Sequence, residues 1–182
     1  MTAIAQSTIP ANSTWTADTV HSTVGFAVKH MLVSTFRGRF ESYDATLTAA
    51  EDGTLRLTGS VAADSILVKD DNLAAHLRAP DFFDTERFPT VTFDSTLIRS
   101  EDGELIVDGT LTIKGTSRPI EARGTITDPA ITLGDVEKLG LVLEAIVDRR
   151  EYGLDWNAPL PKGGFALANE VKLTVELELA RA

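Results

Sequence analysis

The sequence predicts an all-β fold, an antiparallel barrel or sandwich, and three observations carry that prediction. Apolar and polar residues alternate with period two through most of the chain. Turn pairs such as Asp52-Gly53 and Asp102-Gly103 separate the alternating runs. The runs recur at even spacing, and only two short stretches have helical character. A chain of 182 residues has room for one domain with a core of its own.

The elements follow in order. Residues 1–13 hold no Lys or Arg and only scattered apolar side chains, among Ser, Thr, Asn and Pro10. They read as a disordered tail, which leaves 14–182 as the domain. A secretory signal needs a charged start and an apolar run, and a membrane span needs about 18 apolar residues. Neither pattern is present, so the expectation is a soluble, cytoplasmic protein without stable membrane insertion. His21-Ser22 invites a nucleophile reading. Neighbours on an extended chain point to opposite faces, however, and no G-x-S-x-G elbow surrounds them, so a turn is expected there.

Strands are expected over residues 24–30, 43–49 and 55–63. In the second of these, Tyr43, Ala45, Leu47 and Ala49 alternate with Asp44, Thr46 and Thr48. Residues 70–79 (DDNLAAHLRA) predict a helix, with Asp at its start and Pro80 after it. Asp81, Asp84 and Glu86 lack the order of a calcium loop and are expected to cap a turn around Phe82-Phe83. Strands follow over 91–98, 105–113 and 120–126, then over 141–148 and 171–179. Lys114-Gly115-Thr116 resembles the tail of a phosphate loop, but it lies between two strands and reads as a turn. Residues 134–140 could hold one or two helical turns, and 152–169 read as a long loop near the end of the barrel. The segments 43–61 and 93–111 share Asp, Thr, Leu, Glu-Asp-Gly, Leu and Gly at an offset of 50 residues. Two hairpins converging on the same turn chemistry account for this, with an internal duplication as the alternative; either way both segments read as hairpins of matching register.

With 17 Lys and Arg against 27 Asp and Glu, the net charge is −10. That excludes nucleic acid as a partner, since such proteins need a basic footprint. It also opposes electrostatic docking on an anionic membrane surface. There is no cysteine, hence no disulfide, thiolate nucleophile or Cys-ligated zinc. The three histidines, His21, His30 and His76, have no metal-ligand spacing, and no cofactor is indicated. No carboxylate pair stands out for acid–base chemistry. The aromatic residues are better placed: several lie on the apolar faces of expected strands. An eight-stranded barrel encloses a space that side chains just fill or that holds one ligand. A lining of Phe, Leu, Val and Ala would suit a long apolar one.

Several segments taken together resemble the YceI-like family of bacterial polyisoprenoid-binding proteins. They are Trp15-Thr16-Ala17-Asp18, residues 21–30 (HSTVGFAVKH), 33–40 (VSTFRGRF), His76-Leu77-Arg78 and Asp81-Phe82-Phe83-Asp84 with Phe88-Pro89. Gly109 to Gly115 (GTLTIKG), residues 148–154 (DRREYGL) and Glu170-Val171 complete the match. The resemblance implies an elongated, lipocalin-like antiparallel β-barrel of about eight strands with one or two short helices. It implies binding of a polyisoprenoid, an isoprenoid quinone or another long-chain lipid for storage or transport, without catalysis. Family members are linked to stress responses and isoprenoid handling, and many are exported. Two departures stand out: Leu73-Ala74 replaces a common Arg-Asp pair, and Tyr152-Gly153 replaces a usual Phe-Gly.

The expected wall and mouth of the binding space are Phe26, Val28, Met31, Phe36, Phe82, Phe83, Phe93, Leu111, Leu143 and Trp156. His30, Arg37 and Arg149 are candidates for a polar head group, with rim ion pairs as the alternative for the two arginines. Two other readings stay open: an enzyme with dispersed acid–base or metal residues, and a structural barrel filled by its own side chains. A homodimer is compatible with the sequence, which does not decide it.

Overall fold

The long C-terminal alternation folds as one uninterrupted strand, β12 (Leu167–Arg181), and this strand organises the molecule. It belongs to a computed structural model that describes residues 8–182. One edge of β12 pairs with β11 (Glu137–Asp148), from Lys138↔Ala180 to Asp148↔Glu170. Two strands share its other edge. Near its C-terminus lies β1 (Ser13–Ala17), with Trp15 opposite Arg181. Further along lies β2 (Thr23–His30), with Val28 opposite Val171.

The ring is completed by β4 (Tyr43–Ala49), β5 (Leu55–Ala62), β7 (Thr90–Glu101), β8 (Glu104–Ile113) and β9 (Thr116–Ile126). The circuit β1-β4-β5-β7-β8-β9-β11-β12 closes on itself as an eight-stranded antiparallel barrel. Strand β2 continues the sheet past the ring through β3 (Ser34–Phe40) to β6 (Ile66–Leu67). A short β10 (Ala130–Ile131) lies on the outer edge of β11.

The strands expected from periodicity are all present, and those between 91 and 179 extend further than the alternation marked. The expected helix is α1 (Asp71–Arg78), with the Asp70 carboxylate accepting from Leu73 N at 2.8 Å as its N-cap. Such a cap is worth about 1 kcal/mol. The expectation of helix over 134–140 is corrected to a single 3₁₀ turn, Leu133–Asp135, before β11. Gly134 and Asp135 both take positive φ, which no α-helix continues through. Within the stretch expected as a tail, two residues are instead packed against the barrel. Ile9 is buried, and Ser13 pairs with Ala49 while its hydroxyl accepts from Trp15 Nε1 at 2.9 Å. Residues 1–7 of that tail lie outside the described residues.

The two similar segments are hairpins of matching register, Tyr43↔Val61 and Ala45↔Gly59 against Phe93↔Leu111 and Ser95↔Gly109. A bulge after Ser95 then shifts the second hairpin by one residue. That extra residue lets Asp102-Gly103 form a two-residue turn with both φ values positive. Lys114-Gly115 is another such turn, as expected.

Inward residues sort into two clusters. One fills the barrel end around Trp15, Leu47, Leu57, Val107, Leu141 and Leu179. The other gathers Ile66, Leu77, Phe82, Leu111, Ile113, Val147, Tyr152 and Leu154 toward α1. Closure on β11 depends on a bare backbone, since a Cβ on Gly124 would collide with the Val142 carbonyl oxygen.

The turn between β1 and β2 is fastened where β12 changes neighbours. Asp18 faces His21 Nδ1 at 3.0 Å and Lys138 Nζ at 3.2 Å, and the same ammonium lies 2.5 Å from Glu178. The expected turn at His21-Ser22 is this one, with Ser22 Oγ accepting from Glu178 N at 3.0 Å. The His21 and Lys138 contacts hold the Asp18 carboxyl down at about 2. Asp18 in turn raises His21 above its ordinary 6.5. The Asp18 contribution is therefore present above its ordinary 3.8 and lost as pH falls toward 2. The His21 contribution is present below 6.5 and lost as pH rises through its raised value. An NMR titration should find the His21 midpoint above 6.5 in the native chain and lower in Asp18→Asn. Equal midpoints would contradict the pairing.

Candidate functional site

The barrel is filled by side chains at its Trp15 end only. Toward α1 it encloses a cavity of about 330 Å³, within the range of small-molecule sites, roughly 300–1,000 Å³. Period-two alternation builds the wall. On β2 and β3, Phe26, Val28, His30, Phe36 and Phe40 face the cavity, while Ala27, Lys29, Thr35 and Arg37 take the opposite face. Strand β7 contributes Val91 and Phe93, and β8 contributes Leu111 and Ile113. Leu143, Ala145 and Val147 come from β11, and Val171, Leu173 and Val175 come from β12.

Phe93 marks the boundary between filled and open barrel, because its ring packs against both clusters. It crowds Gly109, where an added Cβ would overlap the ring. On the opposite wall the phenyl groups form a connected set. Phe26 has ring centroids 6.1 Å from Phe36, 6.1 Å from Phe40 and 6.5 Å from Phe83. Phe40 and Phe83 also meet edge-to-face at 5.8 Å, a contact that fixes ring orientation.

Helix α1 and the segment after it close the wide end. Leu73 and Leu77 face inward, and Leu73 therefore stands as wall where the family resemblance leads one to expect an arginine. His76 lies edge-on to Phe82 at 5.0 Å and to Trp156 at 5.1 Å, with Nε2 3.4 Å from Asp81. The expected turn at Phe82-Phe83 is held by Phe83 N donating to Leu77 O and Asp84 N donating to Ala79 O, both at 3.0 Å.

Of the expected site residues, Phe26, Val28, His30, Phe36, Phe82, Phe83, Phe93, Leu111, Leu143, Arg149 and Trp156 line the cavity. Met31 and Arg37 do not, and both expectations are corrected. Met31 sits in the exposed β2–β3 turn at φ +52. Arg37 follows Phe36 on a strand, so it points to the other face. The rim ion pair considered for Arg149 is also corrected. Its side chain is buried and spends its donors on carbonyls: Ala168 O at 2.9 Å, Leu154 O at 2.5 Å and Trp156 O at 2.8 Å. Burial lowers its pKa from the usual arginine value. The ion pair at this corner belongs to Arg150 and Asp148, at 2.6 Å.

Sequence reasoning missed His76, Tyr152, Leu167 and much of the β11–β12 wall. The alternation that pointed to Leu143 also marks Ala145 and Val147. The family resemblance marks Tyr152 as a departure from a usual Phe but not as wall; its hydroxyl is buried and has no hydrogen-bond partner among the described residues. Desolvation pushes its pKa up to about 12, so it stays protonated. Among the described residues the one cluster with metal-ligand geometry is Asp18, His21 and Glu178, and the Lys138 ammonium already engages its two carboxylates.

The chain matches the family model of the YceI-like domain over residues 15–179. A UPF0312 protein of Staphylococcus aureus (strain bovine RF122 / ET3-1) is 29% identical over 172 residues, spanning 91% of this chain and 96% of that protein. The fold superposes on the Burkholderia cenocepacia BcnA crystal structure with a TM-score of 0.73 at 20% identity. That match covers 89% of this chain and 98% of BcnA. A polyisoprenoid binding domain from Saccharophagus degradans superposes with a TM-score of 0.62 at 10% identity, over 92% and 98% of the two chains.

Proposed function

This chain belongs to the YceI-like family, and we propose that its barrel holds one long apolar lipid, a polyisoprenoid or an isoprenoid quinone, for storage or transport without chemical turnover. The observation that carries the proposal is the continuous apolar wall of a cavity that the chain's own side chains leave open. The Saccharophagus degradans domain is described as polyisoprenoid-binding, but at its identity it supports the fold alone. The choice of ligand here rests on the lining.

Each buried methylene contributes about 0.8 kcal/mol. Roughly twenty carbons then offset an association cost on the order of 4–15 kcal/mol without any strong polar contact. Lining imidazoles at His30 and His76 leave a weakly polar end for a head group, and Arg149 serves as a brace for the loop.

Trp156 lines the cavity, whereas Trp15 is sealed in the filled end. Stripped of lipid and titrated with a long-chain prenol, a Trp15→Phe variant should show a saturable blue shift of Trp156 emission at one ligand per chain. An emission spectrum indifferent to the prenol would remove the ligand from this cavity.

A further inference from the structure

We propose that the tip of the β2–β3 hairpin, Met31-Leu32-Val33, together with Phe165, docks this barrel on the surface of an anionic phospholipid bilayer. This goes beyond the lipid-holding reading and applies whatever the cavity contains. Two unfavourable features coincide at the tip. Its side chains are exposed, Met31 at 41%, Leu32 at 65% and Val33 at 83%, and Phe165 beside them at 58%. Met31 and Leu32 also both take positive φ, +52 and +64. In the two-residue hairpin turns Asp102-Gly103 and Lys114-Gly115, where both φ values are positive, glycine stands second. Here a leucine occupies that position. Strain and exposed apolar surface kept together point to a contact that uses both side chains.

The tip adjoins the loop before β12. Met31 N donates to Ala166 O at 2.7 Å, and a Cβ on Gly164 would lie 3.3 Å from the Leu32 side chain. Together they form one small, exposed apolar point. A stable protein partner needs about 800 Å² on each side, which a single turn and one phenyl ring do not offer. A bilayer yields around such a point.

Local charge favours an anionic surface despite the net −10. Residues 19–40 and 156–169 contain no Asp or Glu, in a chain with 27 of them. Asp155 and Glu170 border the loop. Lys29, Arg37 and Lys162 lie in the two segments, and among the described residues none of them makes an ion pair. More distant acids are screened beyond about 8 Å at physiological ionic strength. The cavity lining ends at His30, next to Met31, so docking there would bring the cavity toward the bilayer.

Co-sedimentation with phosphatidylcholine–phosphatidylglycerol vesicles tests this. The native chain should bind them, and bind pure phosphatidylcholine vesicles less. Leu32→Gly combined with Val33→Ser should weaken binding at least roughly tenfold, since burying one such side chain is worth about one to two decades in partitioning. Glycine suits φ +64, so the variant should unfold no earlier than the native chain. Lipid-stripped and lipid-loaded protein should bind alike, which separates this test from the cavity reading. Native protein that leaves the vesicles unbound would overturn the proposal, as would a variant that binds equally well. A concentration-dependent dimer that the tip variant abolishes, without vesicle binding, would overturn it too and assign the tip to a second copy of the chain.

Discussion

Arg149→Met should lower the melting temperature by roughly 6–12 °C, the shift expected for about 3 kcal/mol in a chain of this size. The arginine is 6% exposed, and its guanidinium joins three carbonyls from two segments, Leu154 and Trp156 on one and Ala168 on the other. Hydrogen bonds from a charged donor are worth roughly 1.5–3 kcal/mol each. Relief of the buried charge returns part of the loss, which leaves about 3 kcal/mol. Arg149→Lys keeps a charge but not the planar fork, so it should lose nearly as much. Released from Leu154 O and Trp156 O, the loop should loosen and the cavity should hold lipid less tightly. A thermal scan in which Arg149→Met melts with the native chain would contradict the bracing role.

Phe93→Asp should abolish lipid retention. The ring stands where the filled half of the barrel gives way to the cavity, so a carboxylate there places an unpaired charge in apolar surroundings. The expected destabilisation is about 3 kcal/mol, near the low end for removing a buried phenyl group. Phe93→Ala distinguishes the two effects. It loses comparable packing but leaves the wall apolar, and it should still retain lipid. Folded Phe93→Asp protein with the native lipid content would take this residue out of the site.

The β-strands were legible because each has one dry face, and a period of two marks such strands wherever they run long enough. The 13–17 strand was too short for that signal. The 34–40 strand carries Arg37, Gly38 and Arg39, so composition hid it and only the family resemblance marked its residues. Helix α1 was legible through Asp70 and Pro80, whereas 134–140 looked helical until Gly134 and Asp135 took positive φ. Most of the expected wall faces the cavity because inward positions on a strand are set by alternation. Alternation stops at turns, and that is why Met31 was misplaced. Arg37 lies outside the cavity for another reason: Phe36 fixes the inward face of its strand, and a charge suited to a head group does not override that alternation. Arg149 lines the cavity as expected, but its partners are backbone carbonyls of Leu154, Trp156 and Ala168, brought to it by the course of the loop, which no side-chain pattern encodes.

The central claim is that one long apolar lipid occupies the open half of the barrel. Native mass spectrometry of freshly purified protein, followed by solvent extraction, tests it most directly. A one-to-one adduct of isoprenoid or quinone mass, released by solvent and absent from Phe93→Asp, is the result expected. A bare chain mass, with no uptake of added prenol or quinone, would contradict the claim.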